Sequence, residues 1–342
     1  MIFFDVTKTG GAGHRSGLTR VSARLAAGLG TAATPVRWDS WNRRMGPGDW
    51  FFTSELISEA ERPGLGDFLR ASGGRTAAVF HDAIPLKLPH LTWPQSVARH
   101  PGYLKLLASF DRVWAVSAAS RDELTGFWRW QGVSRTPVVE VLALGADFDG
   151  TPRVVRVGAA GPEGKRPPQL LCVGILEPRK NQQLLVEVCA DLWTEGLEFE
   201  LHLVGRVNPH FGRPIAARIK TLQGKFPGLR YHGAAADAAV AAGYAAARAS
   251  VLPTLAEGCG LPLLESLWRG VPCVGSDLPA LRENAAGGGC LTVAPGDRDA
   301  WQQALRRILT DDALAARLAA EAGARTLPTW AQAAETVAAG LR

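Results

Sequence analysis

The sequence predicts an α/β protein made of two parallel-sheet domains. Three observations point there. Short apolar runs alternate with helix-length amphipathic stretches along the chain. A Pro/Gly-rich break at residues 161–168, Gly-Pro-Glu-Gly-Lys-Arg-Pro-Pro, interrupts that alternation. A length of 342 residues suits about two domains. Hydrophobic residues at 46% and charged residues at 20% fit a packed globular chain and exclude a disordered one.

Before the break, strands are expected at 2–6, 77–80, 112–116 and 138–142, with helices at 17–27 and 119–127. After it, strands are expected at 169–173, 198–204, 230–232, 250–253 and 272–275. Helices are expected there at 182–192, 214–225, 237–248 and 262–268. Thr329 reads as the N-cap of a last helix opening at Trp330. Strands alternating with helices in this way imply two Rossmann-like domains, 1–160 and 161–328, with a terminal helix at 329–342. Two such domains facing each other leave a cleft at the carboxyl ends of their strands.

Several classes drop out early. The opening Met1-Ile2-Phe3-Phe4-Asp5 has neither a basic leader nor a cleavable apolar segment, so no signal peptide is expected. No run of about 18 apolar residues exists to span a membrane. The five cysteines are scattered without a Cys-x-x-Cys pair, which argues for reduced thiols in a cytoplasm and against disulfides or zinc. Residues 1–160 carry 19 Lys+Arg against 14 Asp+Glu, and seven of the eleven tryptophans. Tryptophan among basic residues suits peripheral contact with the inner face of the plasma membrane, or an anionic lipid-linked acceptor. Segment 37–45 is the candidate, with Trp38, Trp41, Arg43 and Arg44; the alternative is core tryptophans beside a solvated loop. The arginines are too dispersed for a nucleic-acid surface.

The most informative segment is Pro253-Thr254-Leu255-Ala256-Glu257-Gly258-Cys259-Gly260-Leu261-Pro262-Leu263-Leu264-Glu265. An apolar run ends at Pro253, two glycines allow close backbone approach, and Pro262 suits a first helical position. Strand, glycine loop and helix start together make a cradle for an anion. Glu257 and Glu265 flank that cradle. A carboxylate repels phosphate but accepts hydrogen bonds from hydroxyl groups. Phosphate beside diols describes a nucleotide sugar.

This segment resembles the glutamate-x7-glutamate signature of the retaining glycosyltransferases of family 4, the glycosyl transferases group 1, which have the GT-B fold. A second segment, Leu171-Cys172-Val173-Gly174-Ile175-Leu176-Glu177-Pro178-Arg179-Lys180-Asn181, places two cations after a strand. It departs from the family's common pattern, with Ile175 where an arginine follows the glycine. It is similar to the Glu-Pro-Arg-Lys-Asn form of a mannosyltransferase-like subgroup. The resemblance implies that Arg179 and Lys180 bind the donor diphosphate. It implies that Glu257 holds sugar hydroxyls, with Gly258, Cys259, Gly260 and Leu261 alongside, and that Glu265 binds the ribose diol. It also implies a terminal helix crossing back onto the first domain.

The same likeness extends, more thinly, to the first half. Gly10-Gly11-Ala12-Gly13-His14-Arg15-Ser16-Gly17 lacks the last glycine of a dinucleotide fingerprint. By resemblance it is the family's first loop, so Gly11 and Gly13 would lie near the donor. His81-Asp82-Ala83-Ile84-Pro85 resembles a subgroup segment in which His81 meets the donor sugar and Asp82 the acceptor. Ser117 or Ser120 reads as a helix cap. Arg206, after the strand ending at Val204, is a further phosphate or base contact. Of two Asp-x-Asp triplets, 297–299 reads as a helix cap and 147–149 resembles the family's Gly-x-Asp before the hinge; neither sits beside an implied phosphate loop, so no catalytic metal is expected.

The implied activity is metal-independent transfer of a hexose, mannose in first place, with retention of configuration. The donor would be a GDP- or UDP-sugar, with no other cofactor. The acceptor would be a saccharide or lipid-linked glycan in bacterial surface polysaccharide synthesis. The competing readings are a catalytically silent sugar-binding partner subunit and another GT-B enzyme such as a nucleotide-sugar epimerase.

Overall fold

In the computed structural model, which describes residues 1–11, 17–147, 153 and 167–342, every neighbouring pair of strands runs parallel. The chain divides into two compact units, Met1–Gly145 with Pro328–Arg342, and Ala146–Leu327. The division falls before the break at 161–168, whose residues 161–166 lie outside the described residues.

The first unit runs β1 (Ile2–Asp5), α1 (Gly17–Leu29), β2 (Ala33–Val36), β3 (Trp50–Thr53), α2 (Leu65–Ala71), β4 (Arg75–Phe80), α3 (Ile84–Lys87), α4 (Pro94–Leu107), β5 (Arg112–Ala115), α5 (Ala118–Trp130) and β6 (Val139–Val141). Its sheet order is β2-β1-β3-β4-β5-β6. Strand β3 is buried at every residue, and β4 at all but its first, as strands covered on both faces must be. Strands β2 and β3 are absent from the sequence expectation, and for identifiable reasons. β2 is an edge strand containing Pro35, which costs it a ladder donor. β3, Trp-Phe-Phe-Thr, is four residues long and shows no alternation.

The second unit runs β7 (Gln169–Val173), α6 (Gln182–Thr194), β8 (Glu200–Val204), α7 (Arg213–Gln223), β9 (Leu229–Tyr231), α8 (Asp237–Ala246), β10 (Ala249–Leu252), α9 (Leu261–Trp268), β11 (Cys273–Ser276), α10 (Pro279–Ala285), β12 (Cys290–Val293), α11 (Arg298–Thr310) and α12 (Asp312–Ala324). Its sheet order is β12-β11-β10-β7-β8-β9, the doubly wound arrangement of a dinucleotide-binding domain. Leu170, Leu201, Leu203, Val251 and Val274 face Leu185, Cys189, Ile219 and Trp301 in its main core. Cysteines 172, 189, 259 and 273 are free and buried.

The last helix, α13 (Trp330–Gly340), belongs to the first unit. Thr329 and Gln332 form a reciprocal capping box at its start. It lies so close to α1 that a Cβ at Gly28 would come within 2.5 Å of the Ala334 Cβ. Among the described residues no helix is long and apolar enough to cross a membrane.

In segment 37–45 the two tryptophans follow the alternative of core packing. Trp38 is buried, and its indole N–H donates to Pro63 O at 3.1 Å. Trp41 is half-buried and stacks on Phe51, ring centroids 5.6 Å apart. These rings pack with Phe51 of β3 and Phe68 of α2.

Candidate donor site

The second sheet reverses its winding between β7 and β10, the position at whose carboxyl ends open α/β sheets take their ligands. Both of the informative sequence segments meet there. After β7, Pro178–Lys180 makes one turn of 3₁₀ helix, closed by Asn181 at φ 55°. Asn is one of the few non-glycine residues that tolerate that region. Arg179 and Lys180 therefore project from a stiff turn rather than a loose loop.

The loop after β10 is laced to that turn. Leu255 N donates to Arg179 O at 2.8 Å, and Arg179 Nη1 donates to Ala256 O at 2.9 Å. Lys180 Nζ donates to Glu257 Oε1 at 2.5 Å, and Arg179 Nη1 lies 3.8 Å from Glu257 Oε2. Arg179 Nη2 also donates to Glu177 Oε1 at 2.6 Å, and Glu177 Oε2 accepts from Asn208 Nδ2 at 3.0 Å. Two cations and two carboxylates thus alternate across two loops, with Asn208 joining from a third. Burial alone would push the Glu257 carboxyl up. Lys180 and Arg179, with hydrogen bonds from Lys180 and Thr254, outweigh burial and hold it below the ordinary carboxylate range.

Helix α9 begins at Leu261, one residue before the expected Pro262 start, and Gly260 precedes it at φ 83°. A Cβ at Gly260 would fall 2.2 Å from Leu281 Cδ2, so both the backbone and the α10 contact require glycine. Gly258 is buried in the same loop. Cys259 is buried too, and its carbonyl accepts from Asn284 Nδ2 at 2.7 Å. Burial pushes its thiol up to about 12, so it is a neutral packing group. Glu265 is 2% exposed on α9, with Tyr244 Oη 3.4 Å from its Oε2. Arg206 is exposed beyond β8, and its carbonyl accepts from Leu176 N at 2.9 Å. Gly205 makes that packing feasible, since a Cβ there would lie 1.8 Å from Gly174 O.

The first sheet reverses between β1 and β3. Arg62, 0% exposed, sits at that reversal between Asp5 and Glu55. Its Nε donates to Asp5 Oδ2 at 2.9 Å, and its Nη2 pairs with Glu55. Glu55 also accepts the Lys8 and Thr9 amides at 3.0 and 2.8 Å, which fixes the start of the glycine-rich loop. Gly11 ends a 3₁₀ turn and is exposed; Gly13 lies outside the described residues.

His81 follows β4 and is buried, and its Nε2 donates to Ser54 O at 2.8 Å. Burial lowers its pKa, opposed by the Ser54 carbonyl and Asp82, so the ring is neutral near pH 7. Asp82 Oδ1 accepts the Ile84 amide at 3.0 Å. Ser117 caps α5, and Ser120 Oγ donates to His81 O at 2.9 Å, tying the two strand-end loops together. Asp297 caps α11; Asp147 is described, but Phe148 and Asp149 lie outside the described residues.

Sequence reasoning misses four partners. Asn208 and Tyr244 reach the site from elements that carry no motif of their own. Glu177 stands inside the motif, but its bond to Asn208 spans 31 positions. Arg62 gives no signal, as a basic residue before proline usually marks a solvated turn.

Comparison with known proteins agrees with this architecture. The family model described as Glycosyl transferases group 1 matches residues 167–311. The serotype-specific mannosyltransferase WbdA of Escherichia coli is 27% identical over 230 residues, 64% of this chain and 28% of that protein. O-antigen chain mannosyltransferase B of Escherichia coli is 33% identical over 143 residues, 42% of this chain and 37% of that protein. The chain therefore spans well under half the length of these curated relatives. The solved sucrose-phosphate synthase of Thermosynechococcus elongatus shares the fold at a TM-score of 0.70 and 20% identity, over 98% of this chain and 96% of that one. The chain thus has the GT-B fold, and its residues 167–311 match the Glycosyl transferases group 1 family model.

Proposed function

We propose that this chain transfers a hexose, with mannose favoured, from a nucleoside-diphosphate sugar to a hydroxyl of a saccharide or lipid-linked acceptor in surface polysaccharide synthesis. GDP-mannose is the preferred donor. The observation that carries the reading is the Lys180–Glu257–Arg179 cluster at the winding reversal of the second sheet. It supplies cations for a diphosphate and a carboxylate for sugar hydroxyls within one contact of each other. The mannosyltransferase names of the matched relatives support the sugar.

In this reading the bond between the anomeric carbon and the phosphate oxygen breaks as the acceptor oxygen bonds to that carbon on the same face. The departing phosphate oxygen takes the acceptor proton, so configuration is retained. Charge grows on the diphosphate as it leaves, and Arg179 and Lys180 stabilise it where a divalent ion would otherwise act. Glu257 orients the sugar, and Glu265 takes the ribose diol. His81 and Asp82 are kept as sugar- and acceptor-contacting residues.

The test is a panel of nucleotide sugars offered to purified protein with a mannose-containing acceptor. Nucleotide release is followed, and the anomeric configuration of the product is read by NMR. GDP release from GDP-mannose with an α-linked product is expected. Absence of release across the panel contradicts transfer, and an inverted product contradicts the proposed mechanism.

A further inference from the structure

The connection from β4 to α3 is His81-Asp82-Ala83, and side chains of two other helices hold its backbone. Ser120 Oγ, on α5, donates to His81 O at 2.9 Å. His100 Nε2, on α4, donates to Asp82 O at 3.1 Å. Glu123 Oε2, also on α5, accepts from Ala83 N at 3.3 Å. Each residue of the loop thus has a backbone group bonded to a side chain 18 to 40 positions away.

His100 is the costly member of this set. It is 4% exposed, and a buried polar ring is unfavourable unless its N–H is bonded. An apolar residue at that point of α4 would make no such demand. Burial lowers the pKa of His100, opposed by Asp82, so the ring is neutral near pH 7. Its one N–H must sit on Nε2, because the Asp82 carbonyl can only accept. Tyr103, one turn further along α4, packs against the ring with centroids 5.5 Å apart. Pro101 follows His100 directly and removes a hydrogen bond from the middle of α4. That turn of the helix is therefore not arranged for helix stability alone.

The group that the loop presents is the Asp82 carboxylate. Asp82 is half-buried, its Oδ1 accepts the Ile84 amide, and its Oδ2 makes no bond among the described residues. An oxygen so placed is fixed in position and still able to accept from a ligand hydroxyl. We propose that His100 is a positioning residue for the acceptor, holding the Asp82 carboxylate through the Asp82 carbonyl where an acceptor sugar hydroxyl meets it. Groups that meet substrate must be held to within about 0.5 Å, and hydrogen bonds from the residues behind them do that. The inference deepens the transferase reading and rests on its assignment of Asp82 to the acceptor.

The experiment compares His100→Phe, which keeps a buried ring and deletes the donor, with His100→Gln, whose side-chain amide can reach the same carbonyl. The probes are GDP-mannose and methyl α-mannoside. In His100→Phe the acceptor KM should rise about tenfold, as expected when a buried carbonyl loses its partner, with a smaller fall in kcat. Donor affinity by calorimetry and the release of GDP to water should stay at wild-type levels. His100→Gln should restore most of the acceptor KM. A purely structural role would lower stability without separating acceptor from donor. An unchanged acceptor KM in His100→Phe, donor affinity falling in step with it, or His100→Gln no better than His100→Phe would each overturn the proposal. Hydrogen exchange gives a readout without turnover: in His100→Phe, segment 82–88 should exchange faster while β4 stays protected. Unchanged exchange in that segment also overturns the proposal. Exchange therefore decides what His100 does to the loop even where the nucleotide-sugar panel contradicts transfer.

Discussion

Lys180 and Glu257, 77 positions apart, are joined at 2.5 Å across the winding reversal of the second sheet, with side chains 12% and 9% exposed. The pair does two things at once. It pins the loop after β10 to the turn after β7, and it holds a cation in readiness. An incoming diphosphate would compete with Glu257 for Lys180 and release the carboxylate toward sugar hydroxyls.

The ion pair predicts a specific acid response. Glu257 is held below its ordinary value of 4.5. A depressed carboxyl contributes stability that is full above the unfolded value and is lost as pH falls through the folded one. The wild-type protein should therefore lose this contribution below about pH 4.5. Lys180→Met should be less stable at neutral pH, and the two melting curves should converge in acid. Melting temperatures measured across that range that stay parallel would argue against the pairing.

Arg62 predicts a stability effect without chemistry. Replacing it with methionine leaves Asp5 and Glu55 buried without their cation, a change that typically costs about 3–5 kcal/mol. Urea unfolding should read that loss. Adding Asp5→Asn and Glu55→Gln should recover much of it, because the unpaired charges are then gone. A triple variant no more stable than the single one would assign Arg62 a packing role instead.

Glu265 and Tyr244 predict a donor effect. Glu265→Ala should mainly weaken nucleotide-sugar binding. Tyr244→Phe removes a hydroxyl 3.4 Å from Glu265 Oε2 and 3.2 Å from Pro262 O, and should do the same on a smaller scale, about 1 kcal/mol. Calorimetric titration with GDP-mannose separates these from turnover. Unchanged donor affinity in Glu265→Ala takes that residue off the ribose.

Glu177 predicts a positioning effect. Glu177→Gln loses the charged clamp on Arg179 while keeping an acceptor for Asn208. Donor KM should rise several-fold with a smaller fall in kcat, since a charged hydrogen bond is worth roughly 1.5–3 kcal/mol. Equal KM with a collapsed kcat would instead place Glu177 in the bond-making step.

Much of this molecule is legible in its residues, unevenly. Strand β7 is marked to the residue, because Gln169–Val173 is a compact apolar run bounded by proline and glycine. The Thr329 cap of α13 is equally plain, as Ser/Thr three residues before Gln is a local signature. Elements that depend on distant partners are not legible. β3 is a strand because β1 and β4 flank it, and its four residues carry no alternation to mark it. The site divides in the same way. Arg179, Lys180 and Glu257 announce themselves by their loops. Their alternation with Glu177, and the reach of Asn208 and Tyr244, arise only once the winding reversal brings separate loops together.

The most direct measurement is the turnover of Lys180→Ala with GDP-mannose and acceptor, set beside wild type at saturating donor. Loss of one charge-stabilising group predicts a fall on the order of 10²-fold or more in kcat, with the fold intact by circular dichroism. A Lys180→Ala protein that transfers sugar at close to the wild-type rate would contradict the role given to this cation.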